Sequence, residues 1–271
     1  MKGLIRREFI LMKKALIISA VLYILALIAS ALWLLSYRYG NLADMPDFER
    51  NGYFEMTRIY TPIIIATIAM SASLIGQNKQ TTADLRSGWQ KFSYTLPVSE
   101  ETLAGSKIAV RLILTYAGAL LSILGEVFVA AISGTDVHLN MIFLIIALTL
   151  WMHIAALEIP AILHFKDTKI LYAVSTGIIG LLFLIEFIIT KKIEPLFNTR
   201  AAEILDAARK KDPDATFETL EIDPIKFFIE VLQPYIDKAA AVLKIIFIPT
   251  ALALIFISYK WTVSELKRRA M

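Results

Sequence analysis

ALIISAVLYILALIASALWLLS, residues Ala15–Ser36, decides the fold. The stretch runs for 22 residues without a charge, enough as a helix to cross a hydrocarbon core about 30 Å thick. Five more stretches read the same way: Arg58–Gln77, Ile108–Ser133, Met141–Leu163, Ile170–Thr190 and Ala239–Tyr259. Each is apolar on most faces, which suits a helix in lipid better than one lying on a surface. Pro62, Pro160 and Pro249 fall inside these spans, where neighbouring helices and side chains can satisfy the carbonyl that each proline frees. The expected fold is therefore all-α: a polytopic membrane protein of six transmembrane helices over 15–271, preceded by an interfacial helix at 1–14.

Composition agrees. The 271 residues are 57% hydrophobic and 19% charged, whereas an ordinary soluble domain is about 45–50% apolar and about 25% charged. The composition argues against a soluble enzyme, a disordered chain and a secreted disulfide scaffold. With no cysteine there is no disulfide framework, thiol nucleophile or thiolate metal site. The net charge of +4 matters less than where the charges lie. With the N-terminus inside, the inner segments 1–14, 78–107, 164–169 and 260–271 hold 15 cations and 6 acids, and the outer segments hold 10 cations and 15 acids. The positive-inside rule then places both termini in the cytoplasm of a cell-membrane protein. Ala29-Ser30-Ala31 imitates a signal-peptidase site, but the apolar run continues through Leu35 and is too long for a signal-peptide core. The first span is read as retained.

Outside the lipid, Leu4, Ile5, Phe9, Leu11 and Met12 share one arc of a helical wheel and Arg6, Arg7, Lys13 and Lys14 another, with Glu8 and Ile10 as exceptions. Such a helix lies in the inner interface with its cations near anionic headgroups; the plainer alternative is an ordinary basic flank. In the outer loop 191–238, residues 198–211 look helical and Asp212-Pro213-Asp214 a turn. Asp223-Pro224 opens a second helix, striped by Ile225, Phe228, Ile229 and Leu232 and ended by Pro234. The loop reads as a small helical cap or as a solvated linker.

The inner loop Thr81–Lys107, TTADLRSGWQKFSYTLPVSEETLAGSK, says most about function. Leu85, Trp89, Phe92 and Leu96 recur on one helical face, giving a short amphipathic helix over about 82–96 that Leu96-Pro97 stops. Ser99 caps the next helix, with Glu100 and Glu101 in its first turn where the helix dipole favours acids, and that helix runs on into the third span. The aromatic knob fits a partner's groove; equally, Trp89 fits an anchor among headgroups.

Glu126, His153, Glu158 and Glu186 lie inside or near the ends of spans. An intramembrane ionisable group is a functional candidate because burying its charge is expensive, so Glu126, His153 and Glu158 are candidates for a substrate path. The alternative is a structural hydrogen bond between helices. His153 and Glu158 stand about 140° apart around a helix and do not converge on one ion. No H-E-x-x-H, G-x-S-x-G or phosphate-loop pattern occurs, so nothing marks the chain as an enzyme, and no metal site is expected.

From Arg86 to Lys107 the chain reads R-S-G-W-x-K-F-x-x-T-L-P-V-S-x-E-x-x-x-x-S-K. With six spans and an N-terminal interfacial helix, this resembles the permease subunits of ABC-2-type transporters. Arg86, Gly88, Trp89, Leu96, Pro97, Val98, Ser99 and Lys107 carry the match. The resemblance implies a fold like that of type V ABC exporters, and a coupling helix that docks on a separate cytoplasmic ATPase subunit. Leu85, Arg86, Trp89, Phe92 and Leu96 then belong to the coupling surface, and Lys166 and Asp167, in the short loop 164–169, to a second contact. It further implies two ATPase copies, ATP and magnesium held on that partner with no cofactor in this chain, and a second permease unit as homo- or heterodimer. Size, Arg6-Arg7-Glu8-Phe9 and the Thr95–Ser99 turn resemble most the small bacterial exporters of amphipathic peptides, such as phenol-soluble modulins or antimicrobial peptides. The alternatives are an ABC-2 exporter of a drug or lipid, an intramembrane enzyme, or a membrane sensor.

Overall fold

The computed structural model describes residues 1–71, 76–87, 89, 92, 97–137, 139–166, 191–192, 194–210, 212–214 and 224–270. All regular structure among them is helical: α1 (Lys2–Tyr39), a 3-10 turn (Asn41–Asp44), α2 (Asp47–Ser71), α3 (Gln77–Arg86), α4 (Glu100–Ser133), α5 (Leu139–Ala155), α6 (Glu158–Phe165) and α7 (Pro224–Ala270), with a further helical stretch at 194–209. Four segments are long and apolar enough to cross a membrane: Lys2–Tyr39, Glu100–Ser133, Leu148–Phe165 and Ile245–Arg269. They carry the first, third, fourth and sixth expected spans. The second falls on α2 up to Ser71; the fifth, Ile170–Thr190, lies outside the described residues, as does Glu186.

α1 is one helix of 38 residues. The segment expected to lie separately at 1–14 continues into the first span without a break, because neither glycine nor proline occurs between Leu4 and Tyr39. Its apolar arc is covered largely by protein. Met12, 2% exposed, joins Val110 and Leu114 of α4, with Ile5, Phe9 and Leu16 against them. The rest of α1 turns Ile17, Ile18, Val21, Leu25 and Leu32 outward, as lipid contact requires.

α4 is the central element. Ser99 caps it, its hydroxyl accepting from the Thr102 amide at 3.3 Å, with Glu100 and Glu101 in the first turn. At the other end Gly134 takes a left-handed φ of 68°, and Arg38 of α1 donates to the last-turn carbonyl of Ser133 at 2.6 Å. Against α2 the approach is so close that a Cβ on Gly125 would stand 2.5 Å from Ile65 Cγ2. A cluster of Leu34, Ile65 and Val129 ties α1, α2 and α4 together at this level.

The fourth span is kinked. α5 ends at Ala155 and α6 starts at Glu158, with 3-10-type bonds from Ala156 N–H to His153 and Leu157 N–H to Ile154. Pro160 has no N–H to offer the Ala156 carbonyl four residues back; that oxygen accepts instead from Ser258 Oγ of α7 at 2.8 Å and from Ile159 N–H at 3.3 Å. α7 departs from expectation. Pro234 does not end the helix, which runs 47 residues through both Pro234 and Pro249. A proline inside a helix removes one hydrogen bond and bends the rod, and with good helix formers on both sides the helix resumes. The stretch 194–209 packs on the start of α7 through Phe197 and Phe227, whose ring centroids are 5.7 Å apart.

Candidate functional site

Both chain ends lie at one end of the bundle, beside α3, the start of α4 and the end of α6. There a dry cluster of Leu103, Ala104, Leu163, Val263 and Leu266 forms a floor, with Leu4, Leu85, Val98 and Tyr259 packed against it. Four charges sit beside this floor. Glu8, Asp84 and Lys107 are 3%, 2% and 5% exposed, so they survive only as a paired, hydrogen-bonded set. The Arg7 guanidinium forks onto Asp84, with Nη2 to Oδ1 at 2.6 Å and Nη1 to Oδ2 at 3.3 Å, and its Nη1 also reaches Glu8 Oε1 at 3.1 Å. Lys107 Nζ bridges the same two carboxylates, at 3.2 Å to Glu8 and 3.0 Å to Asp84. Two cations and two carboxylates sum to zero, and they join α1, α3 and α4. Burial pushes the Asp84 carboxyl up, but the Arg7 hydrogen bond and the charges of Lys107 and Arg7 outweigh it and hold the group below the ordinary carboxylate value.

A second polar joint lies one turn further along α4. Arg111, fully buried, donates to Asn78 Oδ1 at 2.6 Å and stands 3.8 Å from Glu158 Oε2; Asn78 in turn donates to Glu158 at 2.5 Å. At the same end His164 Nδ1 contacts Glu265 at 2.8 Å, Arg268 pairs with Glu265 at 2.7 Å, and Lys267 with Glu101 at 2.6 Å. Among the described residues, α1, α3, α4, α6 and α7 are thereby cross-linked at this end by polar and charged pairs.

The residues expected at a docking surface are divided by the structure. α3 starts at Gln77 and closes at Arg86, with Ser87 as its C-cap; of the expected helix over 82–96 beyond that point, only residues 89 and 92 lie among the described residues. Leu85 packs down onto the apolar floor. Arg86 is exposed. Trp89 and Phe92 are helical, with ring centroids 5.3 Å apart. Trp89 is half-buried beneath Arg7, whose Cζ stands 3.9 Å from the ring centroid, and Phe92 is 53% exposed. Lys166 is exposed, in a left-handed turn at φ 58° after α6. Leu96 and Asp167 lie outside the described residues.

The three residues singled out inside the spans do not meet. His153 donates Nδ1–H to the Thr149 carbonyl at 2.7 Å, since that oxygen can only accept, and its Nε2 accepts from Tyr116 at 3.1 Å. Both ring nitrogens are engaged. Glu158 belongs to the Arg111 joint, and Glu126 is buried on α4 at 3% exposure. Along α4, Arg111, Tyr116 and Glu126 are separated by roughly 7.5 and then 15 Å. An open cleft of about 470 Å³ at the opposite end is lined by Tyr37, Arg38, Tyr39, Arg50, Asn51 and Phe54 among others, and holds none of them. Sequence reasoning missed Arg111, although a cation four residues into a span is itself a signal.

The protein-family model for the ABC-2 family transporter protein matches residues 52–206, more than half of the chain. That match runs from α2 through α4, α5 and α6 into the helical stretch at 194–209. No curated protein and no solved structure matches.

Proposed function

The chain belongs to the ABC-2 transporter family, and from that premise we propose that it is the permease subunit of an ATP-driven exporter of amphipathic peptides. Members of the family are membrane subunits that partner an ABC ATPase. The charged end of the bundle faces the cytoplasm, with both termini, as the excess of lysine and arginine in those segments favours. Two ATPase copies, carrying ATP and magnesium, dock there on a pair of permease units. Trp89 and Phe92 supply the main contact, flanked by Arg86, and Lys166 with Asp167 a smaller one.

The observation that carries this assignment of the docking surface is the Trp89–Phe92 pair, two aromatic rings in contact beside a charge-locked junction of α1, α3 and α4. A partner that moves those rings moves the start of the spanning helix α4. ATP binding shifts the permease between two states by differing affinity for each. The peptide class rests on resemblance in size and in Arg6–Phe9 and Thr95–Ser99, and the slight acid excess of the loop 191–238 suits a cationic cargo.

Co-expression with the ABC ATPase of the same cell, followed by purification on a tag carried by this chain, tests the proposal. The ATPase should co-purify, and vesicles holding both should accumulate a cationic amphipathic peptide only with ATP. A chain that purifies alone and moves nothing in ATP-fed vesicles contradicts it.

A further inference from the structure

Arg7 occupies a geometry that lysine could not. Its donors lie along the edges of a planar guanidinium and are directed at Asp84 and Glu8, which leaves the faces of the plane open. One face lies over Trp89, with Cζ 3.9 Å from the ring centroid, the arrangement in which a cation and an aromatic ring attract. Asp84 is held from the other side by Lys107 at 3.0 Å and by Gln80 at 2.9 Å. The guanidinium is therefore pinned by a carboxylate that is itself pinned to α4. An anchor for lipid headgroups would instead turn its ring outward, free of the protein's cations.

We propose that Arg7 is a positioning residue for Trp89: the N-terminal part of α1, and not the lipid, sets the orientation of the ring, and the Arg7–Asp84–Lys107 chain links that ring to the spanning helix α4. For docking, this rests on Trp89 being the ATPase contact. The orientation of the ring can be measured without the ATPase. Arg7 thus becomes part of the coupling machinery although it precedes the family-matched residues 52–206.

The experiment uses the full chain in lipid vesicles with Trp33, Trp151 and Trp261 changed to Phe, so that Trp89 alone fluoresces. Quenching is measured with acrylamide from water and with brominated acyl chains from lipid. Arg7→Met removes charge and plane together. Arg7→Lys keeps the charge facing Asp84 and Glu8, and so the fold, but loses the plane. With Arg7 present the half-buried ring should be only partly open to acrylamide and protected from the acyl chains, and both variants should raise quenching by at least one of the two while Arg7→Lys retains the parent thermal midpoint. Unchanged quenching in a folded Arg7→Lys overturns the proposal. In ATPase binding, Arg7→Lys should weaken affinity, and Arg7→Lys with Trp89→Ala should bind no more weakly than Trp89→Ala alone, because both act through one ring. Additive losses also overturn it. If Trp89→Ala leaves ATPase affinity untouched, the docking assignment fails, and the quenching result still decides what Arg7 does to the ring.

Discussion

Ser258 on α7 donates its hydroxyl, at 2.8 Å, to the carbonyl of Ala156, the oxygen that Pro160 leaves without its α-helical donor. Both groups are buried. A proline kink in one spanning helix is thus completed by a serine in another.

Ser258→Ala should therefore cost about 0.6–1.7 kcal/mol, the range seen for hydrogen bonds between membrane helices. The same change in a Pro160→Ala background should cost less, since the backbone can then supply the donor itself. Denaturation in detergent of the four proteins checks this; equal costs in the two backgrounds would show that Ser258 acts elsewhere.

Glu8→Ala or Lys107→Met leaves an uncompensated charge in a dry junction and should destabilise by about 3–5 kcal/mol. Removing both partners at once, as Glu8→Gln with Lys107→Met, should cost less than the two changes summed. Arg6→Ala, one residue away and exposed, should leave the unfolding midpoint where it is. A large effect at Arg6, or strict additivity at Glu8 and Lys107, would count against the buried quartet.

Asp84 has its folded-state value depressed. Its contribution is therefore complete above the unfolded carboxylate value of about 3.9 and is lost as pH falls through the lower folded value. The stability gap between the parent chain and Asp84→Asn should stay flat from about pH 8 to pH 5 and close only below about pH 4. Thermal midpoints taken in steps of pH measure it, and a gap that closes between pH 7 and 6 would assign the effect to a different group.

Gly125→Ala sets a methyl 2.5 Å from Ile65 Cγ2, so α2 and α4 must part or a rotamer must shift. A loss of about 1–3 kcal/mol is expected from such overpacking, and Ile65→Ala should cost less in the Gly125→Ala chain than in the parent. A Gly125→Ala protein as stable as the parent would show that the helices are not held so tightly.

Much of this structure was legible in the sequence, and the failures share a cause. The Ser99 cap, the acids behind it and the long run of α4 follow from local chemistry, because a cap and its amide are three residues apart. Glu8 was an exception on a helical wheel until its partner appeared; Lys107 is 99 positions away, and no local pattern encodes that distance. Leu85 shared a stripe with Trp89 and Phe92, but spacing specifies a face and not what covers it: the floor of Leu103, Leu163 and Leu266 took Leu85. Pro234 looked like a helix stop because its missing N–H is a local fact, whereas continuation of the helix depends on all of α7.

The most direct measurement is the affinity between the purified ATPase and this chain in detergent, for the parent, Trp89→Ala and Lys79→Ala. An aromatic anchor truncated to alanine in a desolvated contact costs about 2–4 kcal/mol, so Trp89→Ala should weaken binding roughly 30- to 1000-fold. Lys79, exposed on α3, can at most tune the association rate, and its removal should leave the affinity close to the parent's. Equal affinities for the two variants would contradict docking through Trp89.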